Sequence, residues 1–295
     1  MKTYAGLDAA LVGELQNIID FGNLVNSRGE SQKEVLCRSF RIKDPTLISI
    51  QIPSRKFNAD YALFEWLWYI SRDRNVHNIS KLAKIWDIIK DEDGTVESNY
   101  GYYIFDDTQD NTPSPWEWCK QELLDDSDSR RATIPINQPI HKVRNALDIP
   151  CTQYIQFFIR DNKLHLSVNM RSCDIIFGMC NDVFTFSLMQ QLMLNELRID
   201  MPDLELGYYY HIVGSLHLYE RHFKMAKNIL IDSTEIWEVV FTSKDWTAAN
   251  WCKVELKPEL TYLDICDSIE LKLQTDLDKS LLYQYVCSMR KKLFV

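Results

Sequence analysis

The sequence lacks the features that build disulfide frameworks, zinc sites, membrane spans and repeats. Its eight cysteines form no CxxC pair, and no cysteine–histidine cluster has the spacing of zinc ligands, so no metal site is predicted. No segment is apolar and long enough to cross a bilayer, and no internal repeat or low-complexity tract is present. Asp8 and Glu14 interrupt the first apolar stretch, which predicts an amphipathic helix rather than a secretion signal. We therefore expect a cytoplasmic protein whose thiols are reduced.

Basic residues are also few, with 33 Lys and Arg against 42 Asp and Glu and a net charge of −9. This balance argues against broad nucleic-acid binding, which needs a basic surface, so no nucleic-acid partner is expected. A small phosphorylated substrate remains compatible, because a few arginines can build a local positive pocket in an acidic protein. The length of 295 residues and the 46% hydrophobic content are typical of one large globular domain or two smaller ones.

The pattern of apolar residues mixes strands and helices without regular βαβ alternation, which predicts an α+β fold. Strand patterns cover residues 34–42, 47–52, 152–160, 163–170, 207–219, 236–242 and 251–256. Helix patterns cover residues 7–25, 61–70, 116–126, 184–197 and 220–230, with further helices to the end. Residues 26–29 are predicted to form a turn and residues 106–115 a polar surface loop.

Glu65 is the one acid in YALFEWLWYI, residues 61–70, a stretch that is apolar on nearly every side and predicts a buried helix. Burial would raise the pKa of this carboxyl group toward the range of a general base. The alternative is a glutamate whose side chain reaches the helix edge.

Five segments, each weak alone, stand in an order that carries more information. They are NSRG at residues 26–29, SDSRR at 127–131, IPCTQYIQF at 149–157, VNMRSCDIIFGMCND at 168–182 and GSLHLYERH at 214–222. Together they resemble the thymidylate synthase superfamily, over a span from about Arg28 to His222. Residues 223–295 match poorly and are expected to be a divergent C-terminal part of the same single domain, residues 1–295.

The resemblance implies an enzyme that transfers a one-carbon unit from 5,10-methylenetetrahydrofolate to C5 of a pyrimidine nucleotide. A thiolate that adds at C6 makes C5 nucleophilic, which divides a difficult step into two easier ones. Cys151 would be that thiolate, with Arg171 lowering its pKa. The alternative for Cys151 is a buried strand cysteine. Glu65 and Tyr100 match further catalytic positions.

Substrate and cofactor contacts follow from the same resemblance. Arginines are preferred for phosphate because the guanidinium plane binds two oxygens at once. Substrate-binding positions are matched by Arg28, Arg130, Arg131, Ser172, Asp174, Asp182, His217 and Tyr219. Cofactor-binding positions are matched by Trp86, Asp174, Phe177 and Gly178. The resemblance implies a homodimer packed through a large mixed sheet, in which Arg130 and Arg131 reach the partner's site. Without the resemblance, Arg130 and Arg131 are more typical of a solvated surface pair. His217 and Tyr219 are then more typical of a histidine and a tyrosine in the core of a sheet.

Asp182 is the position that indicates the base. Thymidylate synthases carry an asparagine there, which can donate to uracil O4 and accept from its N3–H. A carboxyl group with one shared proton can instead accept from the cytosine amino group and pair with N3, so the aspartate predicts dCMP. Thr152 after the nucleophile and Ser215-Leu216 before His217 also resemble phage deoxycytidylate hydroxymethylases, which would place the protein in a host cytoplasm. Arg28 is more typical of thymidylate synthases. The alternative for Asp182 is a cap on a helix beginning near Val183.

Hydroxymethylation of dCMP is the preferred interpretation of the whole pattern. A dCMP methylase is the main alternative, because water or hydride can complete the reaction and the ending KKLFV does not say whether the site closes. A divergent thymidylate synthase comes third. A catalytically idle paralogue that binds RNA or a protein is the alternative of another class, against which the intact candidate residues and the acidic balance argue.

Overall fold

A seven-stranded mixed sheet forms the centre of the computed structural model, which describes residues 1–106, 112–143, 147–242, 253–273 and 275–295. The strands are β1 (Lys2–Tyr4), β2 (Asn23–Ser27), β3 (Glu30–Ile42), β4 (Thr133–Pro135), β5 (Thr152–Arg160), β6 (Lys163–Asp174) and β7 (Glu205–Tyr219). Their order is β1-β3-β7-β6-β5-β4, with β2 paired to β3. β6 and β7 run parallel, while β3–β7 and β5–β6 are antiparallel. The predicted combination of a large mixed sheet with helices is confirmed.

Helices surround this sheet. They are α1 (Leu7–Phe21), α2 (Ala59–Ile70), α3 (Ile85–Ile89), α4 (Tyr100–Phe105), α5 (Pro115–Asp125), α6 (Ile140–Val143), α7 (Gly178–Leu197), α8 (Phe223–Thr242), α9 (Tyr262–Leu273) and α10 (Lys279–Leu293). Three short 3₁₀ segments cover Pro53–Arg55, Ile79–Lys81 and Glu220–His222. Within the described ranges, no helix has the length and apolar character needed to span a membrane.

The two faces of the sheet differ in burial. On β7, Tyr209, His211 and Val213 are buried, whereas the alternate residues Tyr208 and Tyr210 are only half-buried. Successive side chains of a strand point to opposite faces, so one face carries the core and the other is left partly open. The core face packs against α7, whose 20 residues are mostly buried.

Buried amides on α7 hold the C-terminal part against the rest of the chain. The Gln191 side chain donates to the Val254 carbonyl at 3.2 Å and accepts from the Leu256 N–H at 2.9 Å. The Asn195 amide donates to the Leu260 carbonyl at 3.1 Å. The last residues are anchored on the same segment, because the Val295 N–H donates to the Glu255 carbonyl at 3.1 Å.

Several predicted boundaries and elements were wrong. Residues 236–242 continue α8 instead of forming a strand, because a short apolar run fits either element and the sequence offers no proline or glycine to stop the helix. Residues 47–52 form a single bridge to Lys253 rather than a strand. The first predicted helix ends at Phe21, and its last residues belong to β2. Residues 251 and 252 of the predicted strand, and residues 107–111 of the predicted loop at 106–115, lie outside the described residues.

Candidate active site

The predicted nucleophile, Cys151, lies immediately before β5. Arg171 on β6 forms hydrogen bonds with the backbone there. The Arg171 N–H donates to the Cys151 carbonyl at 2.8 Å. Its guanidinium donates through Nε to the Pro150 carbonyl at 3.2 Å and through Nη2 to the Ile149 carbonyl at 2.7 Å. Arg171 therefore positions the backbone around the thiol and still has further guanidinium N–H groups for a ligand.

Asp148 fixes the same segment from its other end, a contact that no motif indicates. Its carboxylate accepts from the Ser98 N–H at 2.6 Å and from the Ser98 hydroxyl at 2.8 Å. Burial raises the pKa of Asp148, and the Arg171 charge opposes that shift. The segment leading to Cys151 is thus held by the Asp148 carboxylate and by hydrogen bonds to the carbonyl groups of residues 149–151.

The expected lowering of the Cys151 pKa is not found. Burial raises the pKa of this thiol, and the charges of Asp182 and Asp148 add to that effect. Arg171 and Arg28 both act to lower the pKa but do not outweigh burial. The prediction took account of the guanidinium charge but not of the desolvation of the thiol. Burial therefore opposes ionisation of Cys151, and the charges of Arg171 and Arg28 favour it.

Glu65 is buried on α2, as the apolar stretch predicted, and does not reach the helix edge. Burial raises its pKa to about 8, with a contribution from the charge of Asp182. The Tyr61 hydroxyl donates to its Oε1 at 2.8 Å, and the Trp86 indole N–H donates to the Tyr61 hydroxyl at 3.0 Å. The sequence analysis missed Tyr61, although a spacing of four residues on a helix puts it beside Glu65.

Tyr100 begins α4 and is held between two other rings. Its ring stacks on Tyr69 at 5.2 Å and on Phe186 at 5.8 Å between centroids. Burial raises the pKa of its hydroxyl, and the charges of Cys151 and Asp182 raise it further. These interactions place the Tyr100 hydroxyl in the same neighbourhood as the predicted nucleophile and the predicted base contact.

Asp182 is not a helix cap. α7 begins at Gly178 rather than near Val183, so Asp182 lies inside the helix. Asp174 performs the capping role, because its carboxylate accepts from the N–H groups of residues 176–178 at 3.2, 2.9 and 3.5 Å. The capping alternative for Asp182 is therefore wrong, and its carboxyl group remains available for another contact.

The Asp182 carboxyl group lies beside Cys173 and Gly178. The Cys173 thiol donates to Asp182 Oδ2 at an S–O distance of 3.6 Å. A methyl group added at Gly178 would meet Asp182 Oδ2 at 3.7 Å and Cys173 Sγ at 3.8 Å. Burial raises the pKa of Asp182 to about 7, and the charge of Asp174 adds to the shift. Near neutral pH this group can therefore both accept and donate a hydrogen bond.

Ser172, His217 and Tyr219 lie at the ends of the parallel pair β6 and β7. Ser172 is in register with Ser215, and Asp174 with His217. The His217 and Tyr219 rings are perpendicular, with centroids 4.9 Å apart, as expected for alternate residues on one strand face. His217 Nε2 is buried and has no hydrogen-bond partner among the described residues. An unpartnered buried nitrogen is costly, so this atom fits a ligand hydroxyl group.

Two of the matched cofactor positions are aromatic, Phe177 and Trp86. Phe177 is 41% exposed although it is aromatic, and the Arg55 guanidinium lies 4.7 Å from its ring centroid. Trp86 packs against Trp68 at 5.0 Å and carries its N–H toward Glu65 through Tyr61. An exposed ring beside an uncrowded Gly178 suits a planar ligand with polar edges, so these residues fit a pterin-containing cofactor.

The predicted phosphate-binding arginines are not all brought together within one chain. Arg28 lies in the β2–β3 turn, with a φ of 53° and an exposed side chain, and its charge acts on the Cys151 thiol. Arg131 pairs with Glu122 at 2.8 Å, and the Arg130 carbonyl accepts from the Gln156 amide at 2.8 Å. Gln156 is roughly 16 Å along β5 from the thiol at the usual strand rise.

Comparison with known proteins identifies the family. A sequence model described as thymidylate synthase matches residues 14–245. The deoxycytidylate 5-hydroxymethyltransferase of Enterobacteria phage T4 is 32% identical over 214 residues, which cover 69% of this chain and 82% of that protein. Its counterpart from Enterobacteria phage T6 is 31% identical over 210 residues, with the same coverage. A thymidylate synthase from Fusobacterium nucleatum is 33% identical over 159 residues, which cover 54% of this chain and 55% of that protein.

Proposed function

Because the chain belongs to the thymidylate synthase family and is therefore a one-carbon transferase acting on pyrimidine nucleotides, we propose that it converts dCMP to 5-hydroxymethyl-dCMP. 5,10-Methylenetetrahydrofolate supplies the one-carbon unit in this family. The observation that carries the proposal is the Asp182 carboxyl group, buried beside Gly178 with a pKa of about 7.

Base selectivity follows from the hydrogen bonds that Asp182 can form. A carboxyl group with one proton accepts from the cytosine amino group and shares that proton with N3. With uracil, the ionised carboxylate meets O4 as acceptor against acceptor, and one buried polar atom is left unpaired. Such a mismatch costs about 1–3 kcal/mol, which is roughly tenfold to a hundredfold in selectivity.

Cys151 is the proposed nucleophile, and its surroundings explain how a thiol with a raised pKa can react. The thiol releases its proton to water, and its sulfur forms a bond to C6 of the base as the C5–C6 double bond opens, which makes C5 nucleophilic. Arg171 and Arg28 are the cations that favour this ionisation. We propose that the same guanidinium groups, together with Ser172, hold the nucleotide phosphate.

Glu65 is the proposed base for water, and Tyr100 is proposed as a further catalytic residue near Cys151. Once the one-carbon unit is on C5 and the C5 proton is lost, the base carries an exocyclic methylene group. The Glu65 carboxylate accepts a proton from water as the water oxygen bonds to that carbon, the C5–C6 double bond re-forms and the C6–S bond to Cys151 breaks. A methyl product would require a site closed to water.

His217 and Tyr219 are proposed to hold the sugar 3′-hydroxyl group. The unpartnered His217 Nε2 supports this role, because a hydroxyl group would satisfy it. The cofactor is proposed to lie against Trp86, Asp174, Phe177 and Gly178. Asp174 would act there partly through the N–H groups that it fixes at the start of α7.

The half-buried face of the sheet supports a homodimer packed through it. Tyr154 on β5 is 37% exposed, and Tyr208 and Tyr210 on β7 are half-buried on the same face. A patch of aromatic side chains on a sheet face is typical of a surface that another subunit covers. Arg130 lies at the edge of this face beside Gln156, which supports the proposal that Arg130 and Arg131 complete the partner's phosphate site.

The whole chain is proposed to form one catalytic domain. The Gln191 and Asn195 contacts with residues 254–260 support this, because they join the divergent part, residues 223–295, to the helix that carries Asp182.

The base assignment is tested by kcat/KM for dCMP and dUMP in Asp182→Asn. Activity on dCMP should fall and activity on dUMP should rise, so that their ratio falls roughly tenfold to a hundredfold. Asp148→Asn is the matched control, because Asp148 is a buried carboxyl group that holds the Cys151 segment. This variant should lower kcat/KM for both substrates by the same factor. An unchanged ratio in Asp182→Asn would overturn the assignment.

Two further measurements test the reaction and the dimer. The wild-type protein should release tritium from C5 of labelled dCMP, and mass spectrometry should identify a hydroxymethyl rather than a methyl product. No tritium release would favour the idle paralogue. A mixed dimer of Arg130→Ala and Cys151→Ser should regain one working site. Failure of complementation between folded chains would contradict the shared site, and a monomer by light scattering would contradict the dimer.

A further inference from the structure

Tyr61 stands between Trp86 and Glu65 in a hydrogen-bond chain whose direction is fixed. An indole N–H can donate but cannot accept, so the Tyr61 oxygen accepts from Trp86 at 3.0 Å. The hydroxyl proton is therefore free for Glu65 Oε1, at 2.8 Å. The chain of donors runs in one direction and ends on the carboxyl group.

The hydrogen-bond chain is built from two helices, and Trp86 and Glu65 at its two ends are buried. Tyr61 and Glu65 are one turn apart on α2, and Trp86 comes from α3. Trp86 is 6% exposed and packs edge-on against Trp68, which limits its rotation. Because a hydrogen bond in such surroundings is stronger than in water, its loss should be measurable.

We propose that Tyr61 is a positioning residue that acts through Glu65, by orienting its carboxyl group and by favouring its ionised form. The groups around Glu65 explain why such help is needed. From α7, the charge of Asp182 opposes ionisation, and burial opposes it more strongly. Tyr69 on α2 also interacts with Glu65. In the described parts of the chain, no cation forms an ion pair with Glu65.

The inference rests on the proposed function only in its kinetic consequence. If Glu65 must be ionised to accept a proton from water, the rate rises with pH as Glu65 ionises. Removing the Tyr61 hydroxyl should move that rise to higher pH. The effect on Glu65 itself can be measured without substrate.

The test is Tyr61→Phe, followed by ¹³C NMR of the labelled glutamate carboxyl groups, with Glu65→Gln used to assign the Glu65 signal. The titration midpoint of Glu65 should move upward by about one pH unit, because a donor to the charged form is lost. The rising limb of the kcat profile for dCMP should move upward by the same amount. The KM for dCMP should change less than about twofold, since Tyr61 acts through Glu65.

Tyr103→Phe is the matched control. The Tyr103 hydroxyl donates to the buried Glu97 on another part of the chain, so this variant removes the same kind of bond. It should lower the melting temperature and leave both the Glu65 titration and the pH profile unmoved.

An unmoved Glu65 midpoint in Tyr61→Phe would overturn the proposal. A uniform fall in kcat at every pH would also overturn it, because that pattern indicates a merely structural tyrosine. If Tyr61→Phe does not fold, Trp86→Phe should raise the Glu65 midpoint in the same direction by freeing the Tyr61 hydroxyl to rotate. A shifted midpoint in a protein that is inactive on dCMP and dUMP would support the Tyr61–Glu65 coupling and contradict the proposed function.

Discussion

Two tyrosine–glutamate pairs in this chain have the same hydrogen bond and different surroundings. Tyr61 donates to Glu65 and Tyr103 donates to Glu97, and both carboxyl groups are buried. Glu97 also pairs with the Arg74 guanidinium at 2.7 Å, and the His141 Nε2 lies 3.5 Å from it. We call Arg74, Glu97, Tyr103 and His141 the Glu97 cluster.

Glu65 has another carboxyl group as its charged neighbour instead of a cation. We call Glu65 and Asp182 the carboxyl pair. Burial raises both pKa values, to about 8 and about 7, because no described cation compensates the charge. A buried glutamate that pairs with a cation therefore stabilises the fold, whereas one that lies beside another acid can exchange protons near neutral pH.

The largest effect is expected for Cys151→Ser, at the thiol on which the charge of Asp182 in the carboxyl pair acts. Turnover should fall by at least about a thousandfold, because a serine hydroxyl is a far weaker nucleophile, while nucleotide binding stays largely intact. Single-turnover kinetics and isothermal titration with dCMP measure the two quantities. Cys287→Ser, at an exposed thiol on α10, is the control and should keep full activity. Appreciable turnover by the Cys151 variant would show that the nucleophile lies elsewhere.

Arg74→Ala should lower the stability of the protein through the Glu97 cluster. It leaves Glu97 buried without its cation, which should lower the free energy of unfolding by about 3–5 kcal/mol. The activity of the folded fraction should be unchanged, since the Glu97 cluster is proposed to be structural. Urea denaturation and active-site titration measure these effects. A folded variant with altered base selectivity would break the distinction between the two regions.

Glu65→Gln should reveal the carboxyl pair through the pH dependence of stability. The Glu65 pKa is raised from 4.5 to about 8 by folding, so wild-type protein loses stability as pH rises across that window. Glutamine cannot ionise, so the variant should become more stable than wild type by a few kcal/mol, on the order of 2–4, between pH 5 and pH 8. Asp182→Asn should do the same up to about pH 7. Melting temperatures that track wild type at every pH would mean that Glu65 is not desolvated.

Gly178→Ala should have the smallest effect. The added methyl group meets Asp174 Cβ at 3.6 Å and Asp182 Oδ2 at 3.7 Å, which is ordinary contact, so the chain should fold. Alanine in a helix should add up to about 1 kcal/mol of stability. The methyl group would occupy space beside Asp182, so KM should rise several-fold with little change in kcat. A KM equal to that of wild type would remove Gly178 from the proposed ligand site.

The sequence predicted the strands that carry the site with small errors. β5 has the predicted boundaries, and β6 and β7 are extended by a few residues. These strands alternate cleanly and are bounded by turn residues such as Asp161 and Asn162, which have positive φ. The prediction failed at residues 236–242, where a short apolar run is compatible with either helix or strand and only the continuing α8 decides.

Residue chemistry in sequence order was enough to propose a nucleophile, a phosphate site and a base contact, because each chemical role requires particular side chains at particular spacings. Desolvation and hydrogen-bond partners depend on groups that come from distant parts of the chain. The raised pKa of Cys151, the capping by Asp174 instead of Asp182, and the chain from Trp86 through Tyr61 to Glu65 were therefore decided only by the tertiary structure.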